Sequence, residues 1–267
     1  MKRTRKKPEP FIAAPEPSKR ALQMLTIAQW NRLREELKKA SLRDETLITL
    51  MYETAMRRSE PSQLRLDYIR KLGEGKIYVK RQKKSQSGWI DLQRSTVVLI
   101  RKWILERYPD EKRYKTWFVF PGNPYAGQPA QGLAPRTVYN IYNRLAKKTG
   151  LPHEVSHPHV LRRSRSQHLL ELAAKRKDIT VDRLHHTLAQ LLGHSNARIT
   201  IEHYMKATGA EKKFVEEASK TLVGDIEGTV SCPKCDAEFV EDELYDGWEC
   251  SACGHIYIAA KFPGDDV

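Results

Sequence analysis

The chain has 267 residues and a formal net charge of +14, with 40% hydrophobic and 30% charged residues. That is room for one or two domains and enough apolar content to bury a core. No run of about 18 apolar residues occurs and the basic N-terminus lacks an apolar leader core, which argues against a membrane span or a secretory signal and predicts an intracellular chain of cytoplasm or nucleoid.

Residues 1–20 carry Lys2, Arg3, Arg5, Lys6, Lys7, Lys19 and Arg20 together with four prolines. Such a segment cannot bury a core and is expected to be a disordered arm, either gripping nucleic acid or serving as a solubilising or targeting tail. Thr26-Ile27-Ala28-Gln29 carries a capping-box signature, and Ile27, Trp30, Leu33 and Leu37 follow helical spacing. Ser41 opens a second helix with Leu47, Ile48, Met51 and Ala55 on its buried face, and Arg57 is expected at the end of that amphipathic helix. Ile77–Lys80 and Trp89–Leu92 alternate like two strands bracketing a polar turn. Helices are expected near 95–107, 135–149, 160–175 and 180–192, with a short buried piece at 117–120 and a Gly/Pro-rich loop from Pro121 to Pro135. A further helix at 211–222 carries the apolar stripe Phe214, Val215, Ala218 and Leu222. The fold class is therefore mainly α with a small β-sheet.

Six polar residues stand out by order and spacing: Arg57, Lys83, His159, Arg162, His194 and Tyr204. Two guanidinium groups stay charged and can each hold two phosphate oxygens. A lysine can protonate a departing alkoxide, and histidines can move protons. A tyrosine is a poor nucleophile at its usual pKa of about 10, until a base and nearby cations assist it. Taken singly, each of these residues in so basic a chain is a solvated or phosphate-touching side chain. Glu60 reads as a partner that holds an arginine, and His185, His186 and His203 read as surface or core residues.

The motifs around them are Ala55-Met56-Arg57-Arg58-Ser59-Glu60, His159-Val160-Leu161-Arg162, Leu191-Leu192-Gly193-His194 and Tyr204 ten residues further on. This set resembles the tyrosine recombinases, the phage-type integrase family, over roughly residues 26–222. The family's first segment usually reads Gly-Leu-Arg, where Ala55-Met56-Arg57 stands here. The resemblance implies cleavage of double-stranded DNA through a 3′-phosphotyrosyl intermediate on Tyr204 with a free 5′-hydroxyl, without ATP or a catalytic metal. It gives Arg57 and Arg162 to the phosphate, His159 to the base, His194 to a hydrogen bond on the phosphate, and the hairpin lysine to the leaving oxygen. Lys83 fits that lysine best by distance from the first strand, with Lys84 as its rival. Tyr139 and Tyr142 are the alternative nucleophiles.

The same resemblance implies a homotetramer on two paired DNA sites, and it favours a neighbouring protomer over the chain itself as the resting place of the 211–222 stripe. Most members place a helical DNA-binding domain before the catalytic one, and too few residues precede Arg57 for it here. Two competing functions share parts of the signal: a type IB topoisomerase, and a catalytically idle DNA-binding regulator.

Residues 225–267 hold 11 acidic residues against Lys234 and Lys261, a net of −9 that leaves +23 on residues 1–224. The +23 body has the electrostatic footprint of a nucleic-acid binder. The acidic tail contains all four cysteines, in Cys232-x-x-Cys235 and Cys250-x-x-Cys253. Two such knuckles can supply four thiolates to a tetrahedral Zn2+, as in a zinc ribbon, with His255 a lesser ligand candidate; two disulfides are the alternative. Three parts result: the arm 1–20, a catalytic domain 21–224 and a structural zinc ribbon 225–267, whose charge suits a protein partner or competition for the basic DNA face.

Overall fold

A computed structural model describes residues 23–82, 85–108, 118–122, 131–173, 175–176 and 209–224, with positions 235, 237, 252 and 253. The basic arm, the helix expected at 180–192, and Lys83, Lys84, His185, His186, His194, His203, Tyr204, Cys232, Cys250 and His255 lie outside the described residues.

Helix α1, Ile27–Leu37, begins at Thr26, whose hydroxyl accepts from the Gln29 N–H at 3.1 Å. The Gln29 side chain accepts from the Thr26 N–H in return at 2.9 Å, so two orphan donors are satisfied by one exchange. Helix α2, Leu42–Glu53, begins at Ser41, whose hydroxyl accepts from the Asp44 N–H. Every residue from Thr46 to Glu53 is buried, so α2 is a central helix and not the amphipathic one expected. It also stops at Glu53, four residues before Arg57.

Strands β1, Lys76–Val79, and β2, Gly88–Asp91, form an antiparallel hairpin that pairs Lys76 with Asp91 and Val79 with Gly88. Both begin one residue earlier than the alternation alone suggested. Ile77 and Val79 are buried, as a half-covered strand requires. Helix α3, Arg94–Arg107, packs along α2. Segment 118–122 follows, with Val119 and Phe120 fully buried as expected for this piece. It is held by the Val119 N–H on the Leu64 carbonyl at 2.9 Å and the Trp103 indole N–H on the Val119 carbonyl at 2.8 Å. Helix α4, Pro135–Lys148, has proline in its first turn, where the missing N–H costs nothing. Helix α5, His159–Ala173, packs on α2.

Helix α6, Gly209–Val223, packs against α5 and α2 of the same chain. Phe214, Ala218 and Leu222 are buried in the common core. The resemblance had favoured a neighbouring protomer for this stripe; here the chain covers it itself. Polar bonds explain why: the Trp30 indole N–H and the Arg34 guanidinium both donate to the Leu222 carbonyl, at 2.7 and 2.8 Å. The Gln93 amide donates to the Glu216 carbonyl at 3.2 Å, and Arg165 bonds the Ser219 hydroxyl.

Candidate active site

The site starts where α2 ends. The Ala55 N–H bonds the Tyr52 carbonyl at 3.2 Å and the Met56 N–H bonds the Met51 carbonyl at 3.0 Å. These two bonds make a Schellman ending, which needs a left-handed residue at its centre. Ala55 fills that place with φ 51°. Glycine is the usual occupant because it carries no Cβ penalty, so the Ala55 departure from the family pattern falls at a backbone position and not at a chemical one.

The turn delivers Arg57 to a cluster of polar groups. Its guanidinium donates to Glu60 Oε1 at 3.0 Å, to the Gln82 carbonyl at 3.2 Å and to Ser85 Oγ at 2.8 Å. Gln82 and Ser85 flank Lys83 and Lys84, so the chain on both sides of the lysine pair is fastened to Arg57. Glu60 is 2% exposed. Burial alone would raise its pKa, but the Arg81 charge and the hydrogen bonds from Arg57 N–H, Arg81 and Gln82 N–H outweigh that and hold it below the usual carboxylate range.

Arg162 enters from the first turns of α5 and is 5% exposed. Its guanidinium donates to the Ala55 carbonyl at 2.7 Å. Burial first, then the charges of Arg57 and Arg81, push its pKa down to about 9, which leaves it charged at neutral pH. Arg57, Arg81 and Arg162 thus converge on the segment from Ala55 to Glu60.

His159 lies three residues before Arg162 and so on the same helix face. Its pKa is pushed down to about 4, by desolvation and then by Arg163, Arg162, His157 and Arg57. A neutral imidazole at neutral pH can accept a proton.

Tyr142 is buried and its hydroxyl donates to the Val155 carbonyl at 3.0 Å, with burial raising its pKa. Both features unfit it as an alternative nucleophile. His168, buried on α5, accepts from the Tyr52 hydroxyl at 2.7 Å and donates from Nε2 to the Leu25 carbonyl at 2.7 Å. The carbonyl can only accept, which fixes the tautomer and gives His168 a structural role.

Arg81 was missed by sequence reasoning. It is 6% exposed, and its guanidinium donates to Glu60 Oε2 at 2.8 Å and to the Thr54 carbonyl at 2.7 Å. A signal was present: Ile77, Val79 and Arg81 share one parity of the strand, which places an arginine in the buried phase.

A helical body with a small hairpin brings Arg57 and Arg162 together at one turn, with His159 one helical turn from Arg162. The chain belongs to the phage integrase family, whose family model matches residues 23–211. Tyrosine recombinase XerD of Listeria monocytogenes serotype 4b is 26% identical over 168 residues, covering 60% of this chain and 48% of that protein. Tyrosine recombinase XerA of Pyrococcus furiosus is 26% identical over 204 residues, covering 76% of this chain and 64% of that protein. The chain therefore spans about half of XerD and just under two thirds of XerA. In fold, it matches the crystal structure of the XerH site-specific recombinase bound to its difH substrate, with TM-score 0.50 and 20% identity over 74% of this chain and 51% of that one. It also matches the crystal structure of XerA recombinase, with TM-score 0.50 and 19% identity over 71% of this chain and 62% of that one.

Proposed function

We propose that the protein is a site-specific DNA recombinase that cleaves and rejoins double-stranded DNA through a 3′-phosphotyrosyl intermediate. The observation that carries this is the meeting of Arg57 and Arg162 at the Ala55–Glu60 turn, with His159 one helical turn from Arg162. Arg57 and Arg162 neutralise the scissile phosphate, whose charge a rigid guanidinium fork suits. His159 takes the proton from Tyr204, His194 donates to a phosphate oxygen, and Lys83 protonates the leaving 5′ oxygen. The phosphotyrosyl bond conserves the energy of the phosphodiester, so rejoining needs no ATP. Membership of the family and the sequence motifs support the roles of Lys83, His194 and Tyr204.

The same reading extends to a homotetramer on paired DNA sites, and to a zinc ribbon at 225–267. Four cysteine thiolates are a donor set that suits Zn2+. The metal would hold a tail of about 40 residues too small to bury a core, and take no part in the chemistry.

The test is cleavage mapping on DNA flanking the coding element, using substrates nicked near the cut so that the covalent complex is trapped. Wild type should form a DNA–protein adduct, and Tyr204→Phe should bind DNA without forming one. An adduct with Tyr204→Phe would move the nucleophile elsewhere. Relaxation of supercoils by a monomer without site pairing would favour a topoisomerase.

A further inference from the structure

We propose that Arg81 is a positioning residue that locks the Arg57 turn to the hairpin and so sets the geometry of the phosphate-binding arginines. This rests on the assignment of Arg57 and Arg162 to the phosphate.

A buried arginine–glutamate pair is by itself a weak stabiliser, because desolvation offsets much of the attraction. The destination of the donors is what distinguishes Arg81. One Nη donates to Glu60 Oε2 at 2.8 Å and to the Ala55 carbonyl at 3.3 Å, and the other to the Thr54 carbonyl at 2.7 Å. All three acceptors lie in the segment 54–60 that presents Arg57. The second carboxylate oxygen of Glu60 receives Arg57 itself at 3.0 Å. Glu60 is therefore a bridge with one oxygen on Arg57 and the other on Arg81.

The backbone of Arg81 ties the other side. Its N–H donates to Ser87 Oγ at 2.9 Å, across the hairpin turn. The next residue, Gln82, donates its N–H to Glu60 Oε1 at 3.3 Å, and its side-chain oxygen accepts from the Ser59 hydroxyl at 2.5 Å. Turn and hairpin are thus joined at several points around one side chain.

Ala55 supplies the reason such a lock is needed. An alanine in the left-handed region is held against a steric cost that glycine does not carry. Its carbonyl accepts from both Arg81 and Arg162. The two arginines fix the peptide orientation that glycine would adopt freely. Lysine cannot replace Arg81, since a single ammonium lacks the planar fork that spans three acceptors.

The experiment uses full-length protein and the nicked substrate, with single-turnover adduct formation followed across DNA concentration. Arg81→Lys keeps the charge and loses the fork. The proposal expects its saturating rate to fall by about 10- to 100-fold, as for misplaced catalytic groups, with the half-saturating DNA concentration unchanged. Adding Ala55→Gly to Arg81→Lys should restore part of the rate, while Ala55→Gly alone should leave it near wild type. Melting curves fix the folded fraction at the assay temperature.

A wild-type saturating rate for Arg81→Lys would overturn the proposal. So would a loss matched by the loss of folded protein, or unfolding of both Arg81→Lys and the double variant, either of which assigns Arg81 to folding alone. Arg57→Lys and Arg162→Lys separate the two levels. If they cleave like wild type, the phosphate assignment fails. If they fail to cleave while Arg81→Lys is unimpaired, only the positioning role falls.

Discussion

The Trp30 indole N–H donates to the Leu222 carbonyl at 2.7 Å and so joins helix α1 to the last turn of α6. The Trp30 ring also stacks on Tyr52, with centroids 3.7 Å apart. One side chain therefore seats α6 on the central helix α2.

Trp30→Phe keeps an aromatic ring but removes the donor and leaves the Leu222 carbonyl without it. The Arg34 guanidinium still donates to that carbonyl, so the expected cost is that of one hydrogen bond, about 0.5–1.5 kcal/mol. Amide exchange should accelerate within residues 209–223 more than in α2 or α3. Unchanged exchange there would mean that the apolar stripe and the other bonds hold the helix unaided.

The lysine assignment has a chemical test. Lys83→Ala should slow cleavage, and a 5′-bridging phosphorothiolate substrate should restore it, because a thiolate leaves without a proton. Rescue of Lys84→Ala in place of Lys83→Ala would shift the acid by one residue.

His159 should stay neutral from pH 5 to 8 in the free protein, because its pKa is pushed down to about 4. A base with a lowered folded pKa favours the folded state when neutral. That contribution is lost as pH falls from about 6.5 towards the folded value. DNA brings negative charge among the same cations and should raise the titration point. Histidine NMR across pH, with and without DNA, reads both; a His159 signal titrating near 6.5 without DNA would reject the cationic site.

Glu53 gives the opposite sign. Burial pushes its pKa up to about 7, while Oε1 accepts from the Gln93 N–H at 2.5 Å and Oε2 has no hydrogen-bond partner among the described residues. Stability tied to the protonated form is complete below the ordinary carboxylate pKa and is lost as pH rises through about 7. Glu53→Gln keeps the acceptor and removes the charge. Urea unfolding should show it more stable than wild type at pH 8.5, by about 1–3 kcal/mol, and nearly equal at pH 4.5. A variant less stable than wild type at both would place the carboxylate in a favourable ion pair.

Metal analysis of the purified protein should find about one zinc per chain. Deleting residues 225–267 should remove the metal and leave strand cleavage intact. Loss of cleavage on deletion would tie the ribbon to the active site.

Helix starts were legible because capping is local: Thr26 and Ser41 announce α1 and α2 through bonds to their own third residues. The hairpin was legible from alternation, to within one residue. The end of α2 was not, because a left-handed alanine gives no compositional sign where glycine would. The seat of α6 was equally hidden. Its stripe shows that something must cover it, while the carbonyl-seeking donors of Trp30, Arg34 and Gln93 lie more than a hundred residues away. Arg57, Arg162 and His159 could be singled out in the sequence because chemistry limits which residues can hold a phosphate, and the fold brings the two arginines to one turn. Arg81 was not, since its partners are mostly carbonyls that any residue supplies.

Three guanidinium groups gather near the single carboxylate of Glu60, and after burial their mutual repulsion helps to depress the pKa values of Arg162 and His159. Such a place does not wait for DNA. Sulfate, phosphate or pyrophosphate in the buffer should occupy it as competitive inhibitors, more strongly than chloride at equal ionic strength. Purification and assay salts then become a variable in their own right. An enzyme judged inert in phosphate buffer could regain its activity on exchange into a monovalent salt.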